Sequence, residues 1–287
     1  MQVRAAQPVA EPLVKDGHGL VDEGADVGIG VVPVLPPRHH SSSARFRRQT
    51  RCLRSMVSVI PVHLYLAEVL VRQAAKTMNP KDIVRDGYDR VSYAYRGDEA
   101  GADGAGLPPY TQWMSEFMPL LPGDAPVLEL GCGCGLPVAK RLAERFSVIG
   151  VDISPVQVRR AQIAVPDARF LCADMTKLVF PAQTFAAVVS LYALIHVPLE
   201  EQKGLFADIH RWLRPGGYFM ATVGHRAWTG TEDDWLGVEG GTMYWSHADV
   251  ATYQTWLSQT GFAVCWTRFI PEGDGGHTLL LAQSELA

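Results

Sequence analysis

No apolar stretch in this 287-residue chain is long enough to cross a bilayer as a helix; the nearest, Met56 to Val71, is interrupted by Pro61, His63 and Glu68. Cysteine is scarce and odd in number: of the five, Cys132 and Cys134 share one tight turn and are badly placed to pair with each other. A disulfide framework is therefore excluded, and reduced thiols point to a cytoplasmic protein. No second Cys/His pair at ligand spacing stands near Cys132 and Cys134, so a metal is not expected there. Glu232, Asp233 and Asp234 read as an exposed acidic loop. Basic charge is missing where a polynucleotide would need it: from Met78 onward 16 Lys and Arg face 24 Asp and Glu, a net charge of −8. Neither nucleic acid nor a membrane is expected as a partner, and no signal for an oligomeric state is present. With 47% hydrophobic content the chain can bury a full core.

What is present is concentrated in Val127-Leu128-Glu129-Leu130-Gly131-Cys132-Gly133-Cys134-Gly135, an apolar strand run that ends in an acid and three alternating glycines. Gly131, Gly133 and Gly135 permit positive φ and place no Cβ between backbone and ligand. Leu136 to Phe146 follows as a helix, with Pro137 in its first turn and Val138, Leu142 and Phe146 at helical spacing. The dinucleotide pattern G-x-G-x-x-G fails, because its third glycine would fall on Leu136 or, one register on, Val138. A phosphate loop fails as well: Gly135 precedes Leu136 and Pro137, not Lys and Ser or Thr. Two further apolar runs, Ser147 to Val151 and Ala168 to Ala173, end in Asp152 and Asp174. Acids there fall at the carboxyl edge of a parallel sheet, where ligands of open α/β folds bind, although each alone also suits a helix cap or a turn.

From Glu129 to Gly135 the chain resembles, at every specified position, the E/D-x-G-x-G-x-G signature of the class I S-adenosylmethionine-dependent methyltransferases. The resemblance continues in order through Asp152, Asp174, the run Phe185 to Ser190, and Leu213-Arg214-Pro215-Gly216-Gly217-Tyr218-Phe219. It implies an α/β fold with a Rossmann-like, doubly wound, seven-stranded, mostly parallel sheet. A C-terminal antiparallel hairpin (Phe262 to Phe269, His277 to Ala282) and an N-terminal helical lid complete it. The implied cofactor is S-adenosyl-L-methionine on the glycine turn, with Asp152 accepting from the ribose hydroxyls and Asp174 from the adenine amino group. Ile153, Met175 and Ser190 are implied as further cofactor contacts. Tyr88-Asp89-Arg90-Val91-Ser92-Tyr93-Ala94-Tyr95 is similar to a Y-D-x-x-A-x-x-Y helix that lies over the methionine end, with Ser92 where Ala is usual. Burial against the sheet would explain Tyr88 and Tyr95 equally well.

The implied reaction is methyl transfer to a small-molecule acceptor, with His196 and His225, each just past a strand, as candidate general bases. A histidine bonded to backbone at a turn is the competing reading of both. The N/D-P-P-Y motif of amino-methylating enzymes is absent; that place reads Ser190-Leu191-Tyr192-Ala193. A non-catalytic S-adenosylmethionine-binding regulatory or partner protein would keep the same glycines. Leu199 to Leu213 reads as a helix with Leu205, Ile209 and Trp212 inward. The stretch from Gly224 to Trp245, with Trp228 and Trp235, reads as a loop over the site. Ser246 then caps a helix to Thr260, with Asp249 at the capping-box position.

Residues 1–77 carry ten Lys and Arg against six Asp and Glu, a Pro-rich run at 31–37 and three serines at 41–43, without sustained periodicity. They are expected to form a disordered or weakly ordered extension, with the methyltransferase domain at 78–287 divided into a lid (78–122) and a Rossmann-like core (123–287). The functional protein is expected to start near Met78. Deleting residues 1–77 should accordingly leave the melting temperature and cofactor affinity nearly unchanged; a loss of several degrees in a thermal melt would show that they contribute.

Overall fold

In a computed structural model the described residues are 78–98 and 109–285, so the expectation for 1–77 lies outside them. The strand β1 (Pro126–Leu130) is almost wholly buried and, Glu129 apart, apolar, as suits a strand covered on both sides. It pairs in parallel with β2 (Ser147–Asp152) on one side and with β4 (Phe185–Ser190) on the other. β3 (Arg169–Cys172) adds beyond β2, and β5 (Leu213–Gly224) beyond β4. β8 (Phe262–Glu272) and β9 (Gly275–Ser284) form an antiparallel hairpin whose second strand pairs with β5, giving the order β3-β2-β1-β4-β5-β9-β8. This is the mostly parallel seven-stranded sheet. The chain leaves β1 toward β2 on one side while β4 lies on the other, which opens a crevice at the carboxyl ends of both.

Crossover helices cover the two faces. α3 (Val138–Ala143) and α4 (Pro155–Ala164) flank β2 in sequence; α5 (Leu199–Trp212) precedes β5, and α6 (Val250–Gln259) precedes β8. On one face Val127, Val189 and Leu142 share a core with Trp113 and Phe117 of α2 (Tyr110–Phe117). On the other, Leu128, Leu130 and Val188 meet Leu205, Ile209 and Trp212 of α5. α3 is shorter than its spacing predicts, because Leu136 and Pro137 still belong to the glycine turn.

The tryptophan-rich stretch is not a loop. It forms a two-stranded antiparallel ribbon of β6 (Trp228–Glu232) and β7 (Met243–His247). The ribbon extends through His247, so Ser246 is a strand residue whose hydroxyl accepts from the Leu199 amide, and Asp249 is the N-cap of α6, accepting from Thr252 N at 2.8 Å. The first helix, α1 (Pro80–Tyr95), starts on an Asn79 cap with Pro80 at its first position. It fits closely over the ribbon: a Cβ on Gly87 would stand 2.3 Å from Thr242 O. Its other anchor is α4, where Asp89 Oδ1 accepts from Ser154 Oγ (2.5 Å) and Val156 N (3.1 Å). The Ser92 hydroxyl donates to Gln157 and accepts from Arg160, which accounts for a polar residue where Ala is usual. Among the described residues no helix is long and apolar enough to cross a membrane.

Candidate active site

All three glycines of the turn after β1 have positive φ (76°, 53° and 79°), which non-glycine residues adopt only under strain. Their surroundings differ. A Cβ on Gly131 would lie 2.1 Å from Ala193 Cβ, in the segment after β4; one on Gly133 would meet no atom within 4 Å. Gly133 therefore opens onto a cleft. Gly135 faces α4, 3.3 Å from Ala161 Cβ, and serves helix packing rather than the cleft wall. Asp152 accepts from Gly133 N (2.8 Å) on one oxygen and from Ser154 N (2.9 Å) on the other. Burial raises its pKa to about 6 against the opposing pull of those amides.

The structure brings Tyr88, Tyr95, Gly131, Gly133, Asp152, Ile153, Asp174 and Met175 to this cleft. Ser190 is not there: it is buried, and its hydroxyl donates to Leu130 O at 3.0 Å, tying β4 to β1. Asp174 is partly engaged. Its Oδ1 accepts from Thr176 N and Oγ1, both at 2.9 Å, and Oδ2 from Lys81 Nζ at 2.8 Å, leaving room for about one further donor. Burial opposes ionisation of Asp174, but the bonds from Lys81 and Thr176 outweigh it and hold its carboxyl below the usual range. Lys81 also reaches Glu201 Oε2 at 2.6 Å, so the start of α1 is latched to Asp174 and Glu201 by a partly buried cation.

A second recess adjoins the turn, lined by Glu129, Gly131, Gly133, Tyr95 and Arg96. Glu129 is 5% exposed, Arg96 is 6% exposed, and Glu129 Oε2 and Arg96 Nη1 are both buried without a hydrogen-bond partner. Burial raises the Glu129 pKa well above its ordinary value. The Arg96 guanidinium lies 5.9 and 5.4 Å from the Tyr95 and Tyr110 rings. Two unsatisfied groups, a potential anion and a cation, are expensive unless a ligand completes them.

Beyond Tyr88, Tyr95, Tyr192 and His196, which line both spaces, opens a cavity of about 890 Å³ walled by Tyr110, Trp235, Trp245 and Ile270. His196 stands at its threshold with both ring nitrogens engaged: Nδ1 donates to Tyr244 O at 2.6 Å, and Nε2 accepts from Tyr88 OH at 3.0 Å. Burial lowers its pKa to about 4, so it stays neutral. His225 is not brought to either space; its Nδ1 lies 3.0 Å from Thr278 Oγ1 and its ring 4.4 Å from that of Phe269.

Residues 127–217 match the family model described as a methyltransferase domain. These residues carry a methyltransferase domain, set in the sheet order of the class I S-adenosylmethionine-dependent methyltransferases. Over 186 residues the chain is 31% identical to the 2-methyl-6-phytyl-1,4-hydroquinone methyltransferase of Synechocystis, covering 56% of this chain and 57% of that one. It is 36% identical over 102 residues to a sterol 24-C-methyltransferase of Gibberella zeae, covering 32% and 26%. The chain thus spans little more than half of the first relative and about a quarter of the second. Among solved structures, the magnesium protoporphyrin IX methyltransferase of Synechocystis with bound S-adenosylmethionine shares the fold at 19% identity. Its TM-score is 0.55, covering 73% of this chain and 99% of that one.

Lys81, Arg96, Tyr192, Glu272 and His277 line the cleft, the recess or the cavity and were missed by sequence reasoning. Lys81 lies in the first turn of the helix that carries Tyr88 and Tyr95 and Arg96 is its C-cap, so both had that proximity as a signal. Glu272 and His277 lie on the β8–β9 hairpin, far along the chain, and had none.

Proposed function

We propose that this chain transfers a methyl group from S-adenosylmethionine to a small-molecule acceptor held in the aromatic cavity. The observation that carries the reading is the recess beside the glycine turn, where the unpartnered Glu129 Oε2 and Arg96 Nη1 complement the ammonium and carboxylate of an amino-acid end. Asp152, across the cleft, suits a ribose, and Asp174 retains one acceptor position for an amino group. A nucleoside joined to an amino acid uses all four; NAD has no zwitterionic end for the recess. When bound, the cofactor supplies an activated methyl on a sulfonium. The protein's part is to orient the acceptor and exclude water, and such positioning contributes on the order of several kcal/mol. Tyr88 and Tyr95 of α1 and Trp235 of the turn that joins β6 to β7, with rings 5.5–5.7 Å apart, form the wall that excludes it. His196, with no nitrogen to spare, fixes the Tyr88 hydroxyl and does not act as a base.

Titration calorimetry tests this. S-adenosylmethionine should bind and NAD should not. Because burial pushes the Glu129 pKa up in the free protein and an ammonium beside it would pull it down, binding should release protons, seen as a dependence of the heat on buffer ionisation. Glu129→Gln should weaken binding and remove that release. NAD binding without a response to S-adenosylmethionine would overturn the reading.

A further inference from the structure

In the wall of the aromatic cavity lies a hydrogen-bonded cluster that neither the family model nor the resemblance singles out. His277 Nδ1 donates to Glu272 Oε2 at 2.9 Å, and the Tyr192 hydroxyl donates to Glu272 Oε1. All three side chains line the cavity, and the Tyr192 and His277 rings stand 5.3 Å apart. Glu272 and His277 come from the β8–β9 hairpin and Tyr192 from the segment after β4, so a hairpin far from the glycine turn reaches back to the threshold that Tyr192 shares with the cofactor cleft. Tyr192 is held there at φ 56°, a left-handed conformation rare for an aromatic residue and costly enough to need support; the Thr222 hydroxyl and Glu272 supply it.

The chemistry of the cluster is that of an oriented base. Burial works against ionisation of Glu272, but the bonds from His277 and Tyr192 prevail and keep it a carboxylate. Its two oxygens are each already engaged, so what it offers the cavity is less a counter-charge for an ammonium than a fixed acceptor for His277 Nδ1–H. That bond sets the tautomer and leaves Nε2 with a lone pair, and among the described residues His277 Nε2 has no hydrogen-bond partner. Tyr192 is a poor base, since burial and the Glu272 carboxylate hold its phenol protonated.

We propose that His277, oriented by Glu272, is the general base of the acceptor cavity, and that the acceptor is a flat, hydroxylated aromatic molecule methylated on oxygen. The flatness follows from the walls, where Tyr88, Tyr95, Tyr110, Trp235 and Trp245 present rings. The inference rests on the function proposed above. His277 Nε2 takes the O–H proton of the acceptor as the oxygen's electron pair forms the new O–CH₃ bond; the S–CH₃ pair returns to sulfur, leaving S-adenosylhomocysteine. The imidazolium then yields its proton to solvent, which the partly exposed His277 and Glu272 side chains reach.

The test uses the full chain saturated with S-adenosylhomocysteine and 4-nitrophenol, a phenol that colours on ionisation. At a fixed pH the bound dye should be more ionised than the free dye. His277→Gln should cut its ratio of ionised to neutral form by on the order of 10- to 100-fold, the worth of one hydrogen bond to a charged partner, with cofactor affinity by calorimetry unchanged. Glu272→Gln, which keeps the shape and removes the charge, should give a smaller cut, and His225→Ala none. The proposal is overturned if the bound dye is no more ionised than the free dye, if His277→Gln leaves its ionisation unaltered, or if the dye does not bind. If His277→Gln fails to fold, the Glu272→Gln result decides in the same way. Failure of the cofactor reading shows separately, as wild-type protein giving no heat with S-adenosylmethionine or S-adenosylhomocysteine.

Discussion

Gly131→Ala should abolish measurable cofactor binding and destabilise the fold by about 2–5 kcal/mol. Two costs add. At φ 76° any residue with a Cβ bears strain of about 1–2 kcal/mol, and the added methyl would stand 2.1 Å from Ala193 Cβ, an overlap that typically costs about 1–3 kcal/mol as the backbone yields. The backbone that must yield is the turn itself, on one side, and the segment leading to Tyr192 and His196 on the other. Gly133→Ala makes the matched control. It carries the φ penalty at 53° but meets no atom within 4 Å, so it should fold with a smaller loss and still bind poorly, because its methyl projects toward the cleft. Thermal melts and calorimetry on both variants check this; equal stability losses would refute the assigned contact between Gly131 and Ala193.

Asp152→Ala weakens S-adenosylmethionine binding by about 1.5–3 kcal/mol, roughly 10- to 150-fold, as expected when a charged acceptor of hydrogen bonds is removed. The residue acts twice, since it also holds Gly133 N in place. Its titration supplies a second readout. The pKa of about 6 in the folded protein lies above the ordinary 3.8, so the folded state binds a proton that the unfolded chain has released. That contribution to stability is full below about pH 3.8 and is lost as pH rises through about 6. Between those values the melting temperature of the wild type, relative to Asp152→Asn, should therefore fall with rising pH. A difference that does not change with pH would show that Asp152 is not desolvated in solution.

How much was legible in advance depended on the distance along the chain over which each feature is encoded. The glycine turn, Asp152 and Asp174 were readable because a parallel strand, its terminal acid and the next helix are adjacent in sequence, and the periodicity of a buried strand is a local pattern. The spacing of Gly131, Gly133 and Gly135 was enough to set aside a dinucleotide or a phosphate loop. Individual roles were not so fixed: Gly135 spends its missing Cβ on α4, and Ser190 spends its hydroxyl on β1. The ribbon of β6 and β7 was read as a loop because its glycines and tryptophans lack clean alternation, and only the partner strand satisfies its backbone.

The sequence by itself determined the fold class, the methyltransferase-domain pattern and the segments that meet at the cleft, since each rests on contiguous segments whose pattern permits one arrangement. Only the tertiary structure decided what those segments face. Glu129 and Arg96 come together without partners because α1 folds back over the turn. His225 is excluded because its ring lies against Phe269 of β8 and its Nδ1 beside Thr278 of β9. Glu272 and His277 meet Tyr192 because β9 pairs antiparallel with β5 and carries the hairpin tip to the mouth of the cavity. Such meetings join residues from about thirty to about eighty positions apart, and no local propensity encodes them; they follow from strand order and register, which the chain settles only when its whole apolar surface is buried at once.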